Sequence, residues 1–131
     1  MGKTILVVDD NPTVRRLIRE QLEASGLSVC GEAVDGVDAI EKVQVLRPDV
    51  IVLDVAMPRM NGLDAAREIS KIRPDVSIIL NTLHAEAIRS DPKLPAGVRA
   101  IVSKTENLAD QVMMLLGRGN GSQNKRSAAG Y

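Results

Sequence analysis

Five short apolar runs recur along the chain, separated by longer stretches whose apolar positions repeat at helical spacing. Ile5-Leu6-Val7-Val8, Val50-Ile51-Val52-Leu53 and Ile78-Ile79-Leu80 show no alternation of polar with apolar residues. A strand that is apolar on both sides is covered on both sides, as in parallel sheets flanked by helices. The pattern predicts strands over Thr4–Asp9, Leu27–Ala33, Asp49–Asp54, Val76–Asn81 and Arg99–Ser103.

Helical stripes fill the gaps. Val14, Leu17, Ile18 and Leu22 make the first; Asn11 is a ready N-cap, Pro12 suits the first turn, and Gly26 suits the end. Ala39, Ile40, Val43 and Leu46 make the second, closed by Pro48, and Leu63, Ala66 and Ile69 the third, closed by Pro74. Leu108, Val112, Leu115 and Leu116 make the last, with Gly117 after it. The fourth slot, from His84 to Gly97, contains Pro92 and Pro95, which predicts a short or broken helix. Five β-α repeats with short connections predict an α/β fold, a three-layer sandwich around a five-stranded parallel sheet. Right-handed crossovers place every strand's C-terminal end on one edge, where open parallel sheets bind ligands.

Composition removes several functions. At 131 residues there is room for one ordinary domain. Phe and Trp are absent and the one Tyr is Tyr131, so base-stacking platforms and aromatic cages are excluded. One Cys (Cys30) and one His (His84) exclude disulfide frameworks and Cys/His zinc sites; Cys30 reads as a small buried hydrophobe. Basic and acidic residues number 17 each, so no overall field draws the chain to nucleic acid or an anionic membrane. No signal-like N-terminus and no apolar run near the ~20 residues of a membrane span leave a soluble, cytoplasmic protein as the expectation. After Gly117 the chain turns polar, and residues 118–131 are expected to form a disordered tail following a domain over 1–117. Three of the 17 bases and none of the acids fall in that tail, which leaves residues 1–117 at net −3.

The strand ends carry the chemistry. Asp9-Asp10 follows the first strand and Asp54 ends the third. If those strands are neighbours, three carboxylates share one pocket, and such a cluster needs a cation. Oxygen ligands without His or Cys favour Mg²⁺, with Mn²⁺ as the alternative. The competing reading makes Asp9, Asp10 and Asn11 capping candidates before Pro12, but capping does not explain an acid that closes a buried strand. Thr82 follows the fourth strand and Lys104 the fifth, and a hydroxyl plus an ammonium at one pocket suit a phosphoryl group.

These pieces resemble the receiver domain of two-component response regulators. The resemblance rests on Ile5-Leu6-Val7-Val8-Asp9-Asp10-Asn11, on Leu53-Asp54-Val55-Ala56-Met57-Pro58-Arg59-Met60-Asn61-Gly62, on Thr82 and on Lys104, and covers residues 3 to about 117. It implies the flavodoxin-like strand order 2-1-3-4-5. It implies that Asp54 accepts a phosphoryl group from a sensor histidine kinase or phosphotransfer protein. Asp9, Asp10, Asp54 and the backbone carbonyl of Ala56 would hold Mg²⁺. Lys104 and Thr82 would bind phosphate oxygens, and the signal would leave by changed binding of a downstream protein. Catalysis would be limited to the chain's own phosphorylation and dephosphorylation, and direct nucleic-acid binding is not expected.

Departures from the family cluster on one side. Ile101 stands where receivers usually carry Tyr or Phe, Thr105 replaces the Pro that usually follows the Lys, and Asn81 replaces a commoner apolar residue. Pro92 and Pro95 disturb the fourth helix. His84 is placed to tune attacking water or to cap that helix; Met57 and Met60 read as packing residues. Three readings follow: a stand-alone phosphorylated receiver, a phosphorylation-independent interaction module of the same fold, and the receiver fragment of a longer regulator.

Overall fold

The computed structural model describes residues 3–117; the expected polar tail, 118–131, lies outside the described residues. In chain order the elements are β1 (Thr4–Val8), α1 (Pro12–Ala24), β2 (Ser28–Ala33), α2 (Gly36–Leu46) and β3 (Val50–Asp54). There follow α3 (Gly62–Ile72), β4 (Ser77–Thr82), α4 (Ala85–Arg89), β5 (Val98–Ser103) and α5 (Leu108–Leu115). All strand pairs are parallel, in the order β2-β1-β3-β4-β5, the order the resemblance implied.

The unbroken apolar runs are explained by two cores. Leu6, Val8, Ile51, Leu53, Ile78 and Leu80 face Ala39, Val43, Ala65, Ala66 and Ile69 of α2 and α3. Ile5, Val7, Val50, Val52, Ile79 and Val102 face Ile18 and Leu22 of α1 and Leu108 and Val112 of α5. Alternate residues of one strand therefore feed opposite layers, and neither layer includes an aromatic ring. Each such aliphatic side chain contributes about 2 kcal/mol on burial, so the sheet is held by number and fit rather than by large rings.

Local chemistry sets the boundaries. Asn11 Oδ1 accepts from Thr13 N at 2.9 Å and Val14 N at 3.1 Å, which caps α1. Asp35, Asn61 and Asn107 cap α2, α3 and α5 in the same way. Gly26, at φ 84°, follows the end of α1 as a left-handed residue. Two register shifts bend the outer strands, leaving Cys30 out of the β1–β2 ladder and Arg99 out of the β4–β5 ladder.

As expected, α4 is short, one turn of five residues ending at Arg89, ahead of both prolines. Other expectations shift. β5 begins one residue earlier than expected, at Val98, and β4 includes Thr82. Leu17 and Leu46 do not join the core: they are 56% and 37% exposed. Val14, Ile18 and Leu22 recur every fourth residue toward the sheet, and Leu17 sits about 100° around the helix from Ile18. Cys30 is half-buried rather than buried. Among the described residues, no helix is long and apolar enough to cross a membrane.

Candidate functional site

β1 and β3 pair in register up to Val8 and Leu53, so the next residues, Asp9 and Asp54, meet at the sheet's C-terminal edge. Both are buried, at 1% and 5% exposure, while Asp10 is exposed. One carboxylate oxygen from each of the three lies within 4.8 Å of the others. Lys104, in the loop after β5, reaches back with Nζ 3.1 Å from Asp9 Oδ2 and 3.1 Å from Asp54 Oδ1. A cavity of about 280 Å³ opens over this group, and Ala56, Thr82 and His84 also line it. Every expected site residue except Ile101 therefore lies at one edge of the sheet.

The loops hold these groups by backbone bonds. Asn11 N donates to Asp9 Oδ1 at 2.9 Å, and Arg15 Nη1 donates to the Asp9 carbonyl at 2.8 Å. Arg15 Nε in turn pairs with Glu32 Oε1 at 2.8 Å. Gly62 N donates to Val55 O at 2.8 Å, folding the loop after Asp54 onto itself. A Cβ at Gly62 would collide with the Asp54 carbonyl, so only glycine permits this closure. Thr82 Oγ1 accepts from His84 N at 3.1 Å.

Charge at the site is unbalanced. Burial, and then the neighbouring Asp9 charge, push the Asp54 carboxyl above its ordinary value, and Lys104 offsets this only in part. Burial pulls the Lys104 ammonium down, but its hydrogen bonds to Asp9 and Asp54 outweigh that and hold it above the ordinary lysine value. Three carboxylates face one ammonium, and two of them have little water. An all-oxygen donor set with excess negative charge fits a hard divalent cation such as Mg²⁺. Asp9, Asp10 and Asp54 are the acids grouped there, and Ala56 lines the same cavity.

On the far side of Thr82 the arrangement is different. Ile101 is partly buried against the α2–α3 core. Arg89, at the end of α4, donates from Nη2 to the Ile101 carbonyl at 2.8 Å and lies 3.5 Å from Glu106 Oε1. Glu106 Oε1 also accepts from Ser103 N at 2.8 Å. His84 occupies the N-cap of α4 but makes no side-chain cap bond. Asn81 is 4% exposed, and its Oδ1 has no hydrogen-bond partner among the described residues. The roles of Arg15, Arg59 and Arg89 carry no sequence signal, because each depends on which loops the fold brings together.

The site is thus an acid triad and a lysine at the C-terminal edge of a five-stranded parallel α/β sheet. The chain matches the response regulator receiver domain family over residues 5–115 and belongs to it. It is 43% identical over 102 residues to a protein-glutamate methylesterase/protein-glutamine glutaminase of Myxococcus xanthus, covering 76% of this chain and 29% of that protein. The chain thus spans less than a third of that relative's length. Among solved structures it is similar to the response regulator TrrA of Thermotoga maritima in complex with Mg²⁺-BeF, at TM-score 0.77 and 31% identity, covering 89% of this chain and 99% of that one. It is also similar to the response regulator domain of Thermotoga maritima CheB, at TM-score 0.74 and 25% identity, covering 95% and 100%. The chain is a receiver domain of two-component signalling.

Proposed function

We propose that Asp54 accepts a phosphoryl group from the phosphohistidine of a sensor kinase or phosphotransfer protein, and that this domain acts as a phosphorylation-dependent switch. The observation that carries the reading is the buried Asp54 carboxylate, 3.1 Å from Lys104 Nζ and grouped with Asp9 and Asp10. An Asp54 oxygen attacks phosphorus as the P–N bond breaks, and the histidine nitrogen keeps the bonding pair, leaving as neutral imidazole with the proton already on its other ring nitrogen. Lys104 keeps one N–H on the attacking carboxylate and turns another to a phosphoryl oxygen. Thr82 donates its hydroxyl to a second oxygen, and His84 stands at the mouth of the cavity, where hydrolytic water arrives. Bound Mg²⁺ supplies positive charge to the phosphoryl oxygens during transfer. The related structure solved with Mg²⁺-BeF supports this assignment of the pocket.

The test is intact mass after incubation with Mg²⁺ and acetyl phosphate. The wild-type chain gains one phosphoryl group and Asp54→Asn gains none; no gain in the wild type sinks the reading.

A second reading, an interaction module of the same fold that works without phosphorylation, is favoured by Ile101. A β-branched aliphatic side chain is stiff at χ1 and has no ring to swing toward the site. Its carbonyl is already tied to Arg89.

A further inference from the structure

The loop after Asp54 is gripped from outside by a second loop that the proposed chemistry does not use. Arg59 adopts φ 64°, a left-handed conformation uncommon for a residue with a side chain. Its guanidinium forks onto Asp35, with Nε 2.6 Å from Oδ2 and Nη2 3.0 Å from Oδ1. Asp35 is 5% exposed and already caps α2 through Asp38 N at 2.8 Å. Next to it, Gly36 N donates to Met60 O at 3.2 Å. A Cβ at Gly36 would stand 2.6 Å from that same carbonyl. Two loops thus interlock through a forked ion pair, a backbone bond and a glycine that admits the close approach.

An isolated surface ion pair would be worth little. This one is set apart by its buried carboxylate, its bidentate geometry and the strained backbone it holds in place. The guanidinium also keeps Asp35 below the ordinary carboxylate range, so the pair stays charged at neutral pH. Three residues before Arg59 lies Ala56, which lines the cavity over the acid group, and the loop between them has no other side-chain anchor among the hydrogen bonds of the described residues.

We infer that Arg59 and Asp35 are positioning residues for the cation site: their clamp sets where the Ala56 carbonyl stands relative to Asp9, Asp10 and Asp54. The inference rests on the proposed Mg²⁺ site and names residues outside it. Removing such a support without touching a ligand weakens metal binding by about 10-fold.

The experiment is calorimetric titration of Mg²⁺ into the full chain, with amide hydrogen exchange over residues 55–60 as a readout that needs no metal. Arg59→Ala and Arg59→Gly both lose the fork, but glycine accepts the positive φ without strain. Both are expected to bind Mg²⁺ about 10-fold more weakly and to exchange faster at residues 55–60, with Arg59→Lys intermediate. If Arg59→Gly binds Mg²⁺ as the wild type does, the clamp plays no part in the site. If only Arg59→Ala is impaired, backbone strain and not the ion pair governs the loop, and the inference fails. A wild-type chain that binds no Mg²⁺ overturns the proposed site as well.

Discussion

The loops after β3 and β4 leave neighbouring strands and are built in opposite ways. The loop after β3, between Asp54 and α3, is pinned along its length. Gly62 N bonds back to Val55 O, Gly36 N bonds to Met60 O, and Arg59 grips Asp35. The loop after β4 is two residues long and leads into a helix of one turn. Leu83 in it is 68% exposed, and the loop is tied down by Thr82 Oγ1 on His84 N and, at the far end of α4, by Arg89 on the Ile101 carbonyl. The acid-bearing side is thus fixed by backbone bonds and a forked ion pair, and the side proposed to carry the signal outward is held by a few side-chain bonds. A region held by few bonds opens at low free-energy cost, as a switch requires.

The largest expected effect strikes the pinned side. Lys104→Met leaves two buried carboxylates facing each other without their cation. Phosphoryl uptake is expected to fall about 100-fold, the scale for losing one preorganised donor. Unfolding free energy should drop by about 2 kcal/mol, less than for a fully buried pair because Lys104 keeps 23% of its side chain exposed. Rates of mass gain and urea denaturation measure the two effects.

Mg²⁺ should act in the opposite direction. At a free concentration 100 times Kd it is expected to stabilise the wild type by about 2.7 kcal/mol, and Asp54→Asn by much less. Thermal melts with and without chelator show the difference.

Without metal, the sign for Asp54 itself reverses. A carboxyl whose pKa is raised on folding holds its proton more tightly in the folded chain. Its stabilising contribution is therefore present below the ordinary value of 3.8 and is lost as pH rises through the raised value. Asp54→Asn escapes that loss and should be more stable than the metal-free wild type at pH 7. The gap should close as pH falls toward 3.8. A melting-temperature series against pH checks it, and a gap that widens on acidification would show that Lys104 dominates the site.

The smallest effect belongs to the loosely held side. Arg89 is 42% exposed, so Arg89→Ala should cost about 0.5 kcal/mol of stability and leave phosphoryl uptake unchanged.

The division between the two loops also explains what was legible in the sequence. Asp9, Asp54, Thr82 and Lys104 stand at or beside strand ends, and a parallel sheet brings strand ends together whatever the side chains do. Continuous apolar runs located the strands and Asn11 marked the start of α1, whereas the N-caps Asp35, Asn61 and Asn107 emerged only in the structure. The three arginines were not legible, because their partners lie 6, 24 and 12 residues away across loops whose geometry no local pattern encodes. The shortness of α4 was legible too: Pro92 and Pro95 signalled a short helix, and it ends at Arg89, ahead of both.

The most direct test is an amide-shift map on adding beryllofluoride with Mg²⁺ to the full chain. If the receiver chemistry is coupled to a loosely held output side, shifts should appear around Asp9, Asp54 and Lys104. They should continue through His84, Arg89, Ile101 and Glu106, and Arg89→Ala should cut them off beyond Arg89. Shifts confined to the acid site, with residues 84–103 silent in the wild type, would contradict the account and make the fold a static module.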